Sequence, residues 1–260
     1  MNLLFFGSSN RQLFGAYHPP SKAVAARGAA LLCPPWGPEY FVSHRVLRRL
    51  ATRLSDAGYH VLRFDYFGTG DSAGKRTDGD LVSWCEDASI AVDELRDMSG
   101  YETVAAFGIR LGAVIGWRLA QQREDVRKVV LWDPVVNGAR YLSDLVKAQA
   151  EVDRWSLSRP RNRMSANGTL DLLGCPLTPA MRVSVEGVRP AEFQRASQAD
   201  VTLFHSDSLP ERAQLVRALE AGGAGFRVEE TSGQTWREDD AQFAGSLPHA
   251  VLERMVELFS

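Results

Sequence analysis

Short apolar runs alternate with amphipathic helical stretches along most of this chain, and that alternation constrains the fold more than any other feature. The first run is GAALLCPP, residues 28–35, ended by two prolines. Val46, Leu47, Leu50, Ala51, Leu54 and Ala57 then recur at three- and four-residue steps, one face of a helix, and Gly58 stands where a helix C-terminal glycine belongs. His60 to Tyr66 reads as a strand with a glycine-rich loop behind it. A second helical face, Leu81, Trp84, Cys85, Ala88, Ala91, Val92, Leu95 and Met98, follows Asp80 as its cap. Thr103 to Phe107 is strand, Leu111 to Gln122 helix and Lys128 to Trp132 strand. The series resumes with Val201 to Phe204, Glu211 to Ala221, Phe226 to Val228 and Pro248 to Phe259. Strands alternating with helices in this way imply a parallel sheet covered on both faces.

Two stretches depart from the pattern. LLFFG and QLFGAYHPP flank the polar turn Ser8-Ser9-Asn10-Arg11 and read as an opening hairpin. Residues from about 135 to 198 interrupt the alternation, so they read as an insertion between two strands that lies over the sheet edge. It begins with a helical stretch, Ala139 to Arg154. Arg154, Arg159, Arg161 and Arg163 come next, either a solvated loop or a rim that attracts anions, then a segment punctuated around Gly174 and Pro176.

Composition narrows the function classes. With 260 residues the chain fits one domain, residues 1–260, with its insertion. An apolar share of 45% excludes disorder, and a net charge of −2 argues against a nucleic-acid partner. Cys33, Cys85 and Cys175 are odd in number and far apart, which suggests neither a disulfide framework nor a metal site and points to a reducing, cytoplasmic compartment. The start, MNLLFFGSSNRQ, lacks the pattern of a signal peptide, and no apolar run approaches the ~18 residues of a membrane span. No Gly-x-Gly-x-x-Gly follows a strand and no metal spacing occurs, so no cofactor is expected.

Four motifs stand in a telling order. CPPWGPEY (33–40) follows a strand, FDYFGTGDSAG (64–74) follows the next, FGIRLGAVIG (107–116) spans a strand–turn–helix, and PHAVLERMVELF closes the chain. Together they resemble the α/β-hydrolase superfamily over essentially the whole chain. LWDPVVNGARYL further resembles its serine-aminopeptidase-like branch, which includes hydrolases associated with exosortase and natural-product clusters. The resemblance implies a mostly parallel, doubly wound sheet with a helical cap. It places an oxyanion loop at Trp36-Gly37-Pro38, with Glu39 and Tyr40 lining the same cavity.

It also implies a nucleophile elbow, Gly-x-Ser-x-Gly, at a sharp strand-to-helix turn. The letters occur as Gly70-Asp71-Ser72-Ala73-Gly74, but Lys75, Arg76, Thr77, Asp78 and Gly79 separate them from any helix. The reading for Ser72 is a turn whose hydroxyl binds backbone. The right context belongs to Gly108-Ile109-Arg110-Leu111-Gly112, whose apex is an arginine. A guanidinium stays protonated and cannot act as the nucleophile.

The other triad members follow from the resemblance. Asp207, after VTLFHS, fits the acid, with Asp133 as the alternative position. The histidine belongs in the loop before the last helix, but GQTWREDDAQFAGSLP contains none and His249 comes only after Pro248. His44 and His205 are candidate displaced bases, and Cys33 a candidate substitute nucleophile.

Arg110 at a helix N-terminus could hold a carboxylate or phosphate of a ligand. It could instead pair with an internal carboxylate, Asp133, Asp207 or Glu39, as a plug. Three functional readings stay open. The first is an enzyme acting on a small acyl, carboxylated or carrier-linked metabolite without the Ser-His-Asp route. There Arg110, Asp207 and Asp133 act, and Trp36, Gly37, Glu39, Tyr40, Ile109 and Leu111 bind substrate. The second is a non-catalytic member that binds a metabolite or a partner protein. The third is an ester or thioester hydrolase using Ser72 or Cys33. The expected partner is a small, possibly anionic or carrier-linked molecule, with neither nucleic acid nor membrane involved.

Overall fold

The computed structural model describes residues 1–155, 163–194, 197–206, 211–223, 225–231 and 249–259. Asp207, Arg159, Arg161 and the 233–248 loop lie outside the described residues.

The opening hairpin forms as its pattern predicts. β1 (Asn2–Ser8) pairs antiparallel with β2 (Arg11–His18), with Ser8 opposite Arg11 across the turn. β3 (Gly28–Cys33), β4 (Tyr59–Phe64), β5 (Val104–Ile109) and β6 (Val126–Trp132) follow at the predicted apolar runs. Between them run α1 (Pro38–Asp56), α2 (Leu81–Ser99) and α3 (Leu111–Gln122). Asp80 caps α2, accepting the Val82 and Ser83 amides in a capping box.

From β6 the chain enters α4 (Gly138–Trp155), a small hairpin of β7 (Leu170–Leu172) and β8 (Cys175–Leu177), and α5 (Pro179–Glu186). It returns through β9 (Asp200–Ser206), α6 (Arg212–Ala221), β10 (Phe226–Thr231) and α7 (His249–Phe259). Of the insertion's arginines, Arg154 pairs with Glu151 at 3.0 Å and Arg163 with Asp153 at 2.6 Å.

Eight strands make one sheet in the order β1-β2-β4-β3-β5-β6-β9-β10. β2 runs antiparallel to β4, and the strands from β4 onward are parallel. Helices cover both faces. Ala105, Phe107 and Ile109 of β5 pack with Val46, Leu50, Leu54, Leu252 and Met255 of α1 and α7. The alternate residues Val104 and Ala106 pack with the layer of α2 and α3, including Leu95 and Trp117. That period of two is the pleat of a strand buried on both faces. Each large side chain so buried, such as Trp117 or Trp132 at 0% exposure, contributes about 2–3 kcal/mol.

The strand order fixes where a site can form. From β3 the chain moves to β4 on one side, then crosses to β5 on the other. At such a switch point the loops leaving the carboxyl ends of neighbouring strands diverge and open a crevice. Here those ends are in register, Cys33 opposite Gly108, Ile109 opposite Trp132 and Trp132 opposite Phe204.

Candidate functional site at the β5–α3 turn

The turn after β5 is tight, and its glycines show why. A Cβ on Gly108 would meet the Gly112 carbonyl oxygen at 2.2 Å, and one on Gly112 would meet the Cys33 carbonyl oxygen at 2.2 Å. Only hydrogen fits where backbone approaches backbone so closely. Between them Arg110 caps α3 with φ 55° and ψ −117°. A side-chain-bearing residue there stores about 1–3 kcal/mol of strain and is held by its surroundings. Here the Arg110 amide donates to the Trp132 carbonyl at 3.0 Å, and the Ala113 amide donates to the Arg110 carbonyl at 3.1 Å.

The Arg110 side chain is 8% exposed and turns back into the protein. Its Nε donates to Glu39 Oε1 at 3.0 Å, and its Nη1 donates to the Asp133 carbonyl at 2.9 Å. The Tyr141 hydroxyl donates to Glu39 Oε2 at 3.0 Å, and the guanidinium carbon lies 5.3 Å from the Tyr141 ring centroid. Glu39 comes from the first turn of α1 and Tyr141 from α4, so three elements converge on one carboxylate. Burial pulls the guanidinium towards neutrality, but Glu39, Tyr141 and Asp133 more than offset it and its pKa ends above the ordinary arginine value. Burial, then the Glu39 charge, holds the Tyr141 hydroxyl well above its usual range, so it remains a donor.

A family model described as "Serine aminopeptidase, S33" matches residues 42–208, more than half the chain. The chain belongs to the serine aminopeptidase S33 family. Among curated proteins it is 36% identical over 99 residues to Protein ABHD12B of Homo sapiens, a match covering 36% of this chain and 26% of that protein. The chain thus spans about a quarter of that relative's length. Among solved structures, Est1E from Butyrivibrio proteoclasticus superposes with a TM-score of 0.65 at 15% identity, covering 100% of this chain and 96% of its own. A hypothetical protein from Pseudomonas aeruginosa superposes with a TM-score of 0.68 at 17% identity, covering 99% and 92%. At those identities the likeness carries the fold alone, which is the α/β-hydrolase fold.

The other residues singled out in this S33 chain scatter around that centre. Gly37, at φ 74°, caps α1 and lets Pro38 begin it, while Trp36 is buried in the core. Glu39 reaches Arg110, but Tyr40 does not join it. The Tyr40 hydroxyl donates to Asp65 Oδ1 at 2.7 Å, because adjacent helical residues point about 100° apart. Ile109 and Leu111, 0% and 1% exposed, face the two core layers on either side of the sheet. Asp133, at φ 43°, is buried beside Arg110 and donates its amide to the Phe204 carbonyl at 2.9 Å.

Ser72 is far from Arg110 in function. Its hydroxyl donates to the Asp65 carbonyl at 2.6 Å and accepts the Phe14 amide at 2.8 Å. Cys33 is fully buried, and burial pushes its thiol far above the range where a thiolate forms. His44 stands exposed on α1, held below its ordinary pKa by partial burial and then by Arg63. His205 is buried near the carboxyl end of β9, and His249 begins α7. Among the described residues no group of three or more His, Cys, Asp or Glu side chains could hold a metal ion, and no helix is long and apolar enough to cross a membrane.

Tyr141 and Asp65 are the participants that sequence reading missed. Tyr141 carries a weak signal, since Tyr141, Leu145 and Gln149 form a buried face of α4 at helical spacing. Asp65 stands inside the quoted FDYFGTGDSAG motif but has no catalytic pattern around it.

Proposed function

We propose that this chain is a non-hydrolytic member of its family. In this reading Arg110 takes the place of the elbow serine and plugs that position, leaving the fold to bind a metabolite or partner. The segment from about 135 to 198 serves as the cap, and its α4 supplies the lock through Tyr141. The observation that carries this reading is the buried ion pair of Arg110 and Glu39. A ligand anion could reach the guanidinium only by displacing a carboxylate that Tyr141 also holds.

Both substitute nucleophiles are poorly placed. Acyl transfer needs a hydroxyl or thiol whose proton a base can take. The Ser72 proton is committed to a backbone carbonyl, and the Cys33 thiol is sealed in the core.

A fluorophosphonate probe and a panel of acyl esters and thioesters test this reading. The expected result is no labelling and no turnover. Labelling lost in Ser72→Ala or Cys33→Ala overturns the reading in favour of ordinary hydrolysis. Turnover lost in Arg110→Ala overturns it in favour of an enzyme in which Arg110 anchors the substrate.

A further inference from the structure

The two ends of the eight-stranded sheet are built differently. Among the described residues β10 closes one end, and it carries Arg227, Glu229 and Glu230, which pair with Asp200, Arg254 and Arg212. Charges along an edge strand resist pairing with another chain. β1 closes the other end and has no such guard. Its seven residues, NLLFFGS, contain neither a charge nor a proline, and its register with β2 runs from Asn2 to Ser8 without a bulge. Among the described residues only β2 pairs with it, so one row of its backbone donors and acceptors is open.

The same strand bares apolar side chains. Leu4 and Phe6 turn to the α2 face of the sheet and pack in that layer. Leu3 and Phe5 turn to the opposite face and are 62% and 57% exposed. Phe5 is already held in place, its ring edge-on to Phe14 of β2 with centroids 5.4 Å apart. A side chain fixed in advance loses little freedom when a partner covers it.

This pattern is its own complement. Gly7, at φ 84°, ends the regular run and leaves Asn2 to Phe6 extended, with Leu4 at the centre. A second copy related by a twofold axis through Leu4 runs antiparallel. It sets Leu3 of each chain opposite Phe5 of the other, all on one face. Apolar cross-strand pairs of this kind stabilise a sheet. No like charges meet, because residues 2–10 carry none, and a charged peptide would find no counter-charge there. The ladder and its four apolar side chains bury less than the ~1,200 Å² at which tight interfaces begin, so the association is reversible.

We propose that β1 is a self-association surface, through which two copies of this chain pair antiparallel and join their sheets into one. The inference does not rest on the reading of the elbow, since β1 takes no part in the Arg110 site.

Sedimentation velocity from about 10 μM to about 1 mM at neutral pH tests it, since mass action makes such a pair concentration-dependent. A monomer passing to a dimer, and no further, is expected. Leu3→Lys and Phe5→Glu should each weaken association at least tenfold while keeping the wild-type melting transition, because both side chains are exposed. Mixing those two variants should restore association, since the twofold register sets the lysine of one chain opposite the glutamate of the other. Val228→Lys, an exposed position on β10, should change nothing. A monomer throughout the range overturns the proposal. So do unchanged association in Phe5→Glu, no recovery on mixing, loss of association in Val228→Lys, or growth beyond two copies. A monomer that instead binds phosphatidylcholine vesicles through Leu3 and Phe5 also overturns it, because the face would then serve a lipid surface.

Discussion

Glu39 and Arg110 meet at 3.0 Å across 71 positions of sequence, both with little solvent exposure, and the second oxygen of Glu39 holds Tyr141 at 3.0 Å. One carboxylate thereby ties the first turn of α1 to the β5–α3 turn and to α4.

Removing that carboxylate leaves a buried guanidinium and a buried hydroxyl without their shared acceptor. Glu39→Ala is expected to lower stability by about 3–5 kcal/mol, the usual cost of breaking one side of a buried pair. Tyr141→Phe removes only one charge-assisted hydrogen bond and should cost about 1.5–3 kcal/mol. The paired variant Glu39→Leu/Arg110→Met should recover most of the loss, since an apolar pair of similar volume needs no compensation. Urea denaturation with a double-mutant cycle measures all three. A Glu39→Ala loss under ~1 kcal/mol would show that the pair is not the lock described here.

The glycines of the turn give an opposite pair of outcomes on one helix. Gly112→Ala places a methyl 2.2 Å from the Cys33 carbonyl and 2.6 Å from that of Pro34, both backbone atoms that cannot move aside. The expected loss exceeds about 4 kcal/mol, read as insoluble protein or a collapsed melting transition. Gly116→Ala meets only side-chain methyls at 3.8 Å and 3.9 Å. It should gain about 0.5–1 kcal/mol from helix propensity. A thermal melt of each variant distinguishes them.

Those two substitutions also show what the sequence could and could not reveal. The α3 boundaries and the tight turn before it were legible, because Gly108 and Gly112 bracket the switch from an apolar run to a helical period. The β7–β8 hairpin was not, since three-residue strands are too short to display an alternation. Its turn sits at Leu173 and Gly174, both at positive φ, and only the glycine advertises that. That Glu39 would serve Arg110 stood among several acidic candidates, and Tyr141, 102 positions away, was not among them. Periodicity speaks about faces of an element, while a partner is chosen by how elements pack. Tyr40 makes the same point, as it shares a helical turn with Glu39 yet serves Asp65.

Ser72 carries the only Gly-x-Ser-x-Gly lettering, and its role here is to clamp the β4 loop to β2. Its hydroxyl both donates to the Asp65 carbonyl and accepts the Phe14 amide, so Ser72→Ala orphans two backbone groups at a site 8% exposed. The expected loss is about 1–3 kcal/mol by urea denaturation. Ser72→Thr can keep both bonds and should restore part of it. Loss of any probe labelling, with stability unchanged, would contradict the clamp.

Acid should weaken the fold through His18. Its folded pKa is about 4, depressed by burial first and then by the Arg63 charge, against about 6.5 for an unperturbed histidine. Between those values the unfolded chain binds the proton and the folded chain does not, so stability rises with pH across that window and is lost as pH falls from about 6.5 to 4. The loss is on the order of 2–3 kcal/mol at the lower end. Urea denaturation at pH 7.5, 6.0, 5.0 and 4.5 measures it. His18→Gln cannot charge and still offers Arg63 an acceptor, so its stability should fall less steeply over the same range. Arg63→Gln should raise the folded His18 pKa, since it removes the positive charge that depresses it most, so the loss should be smaller and level off at higher pH. Identical pH profiles for wild type and His18→Gln would assign the acid sensitivity to other groups.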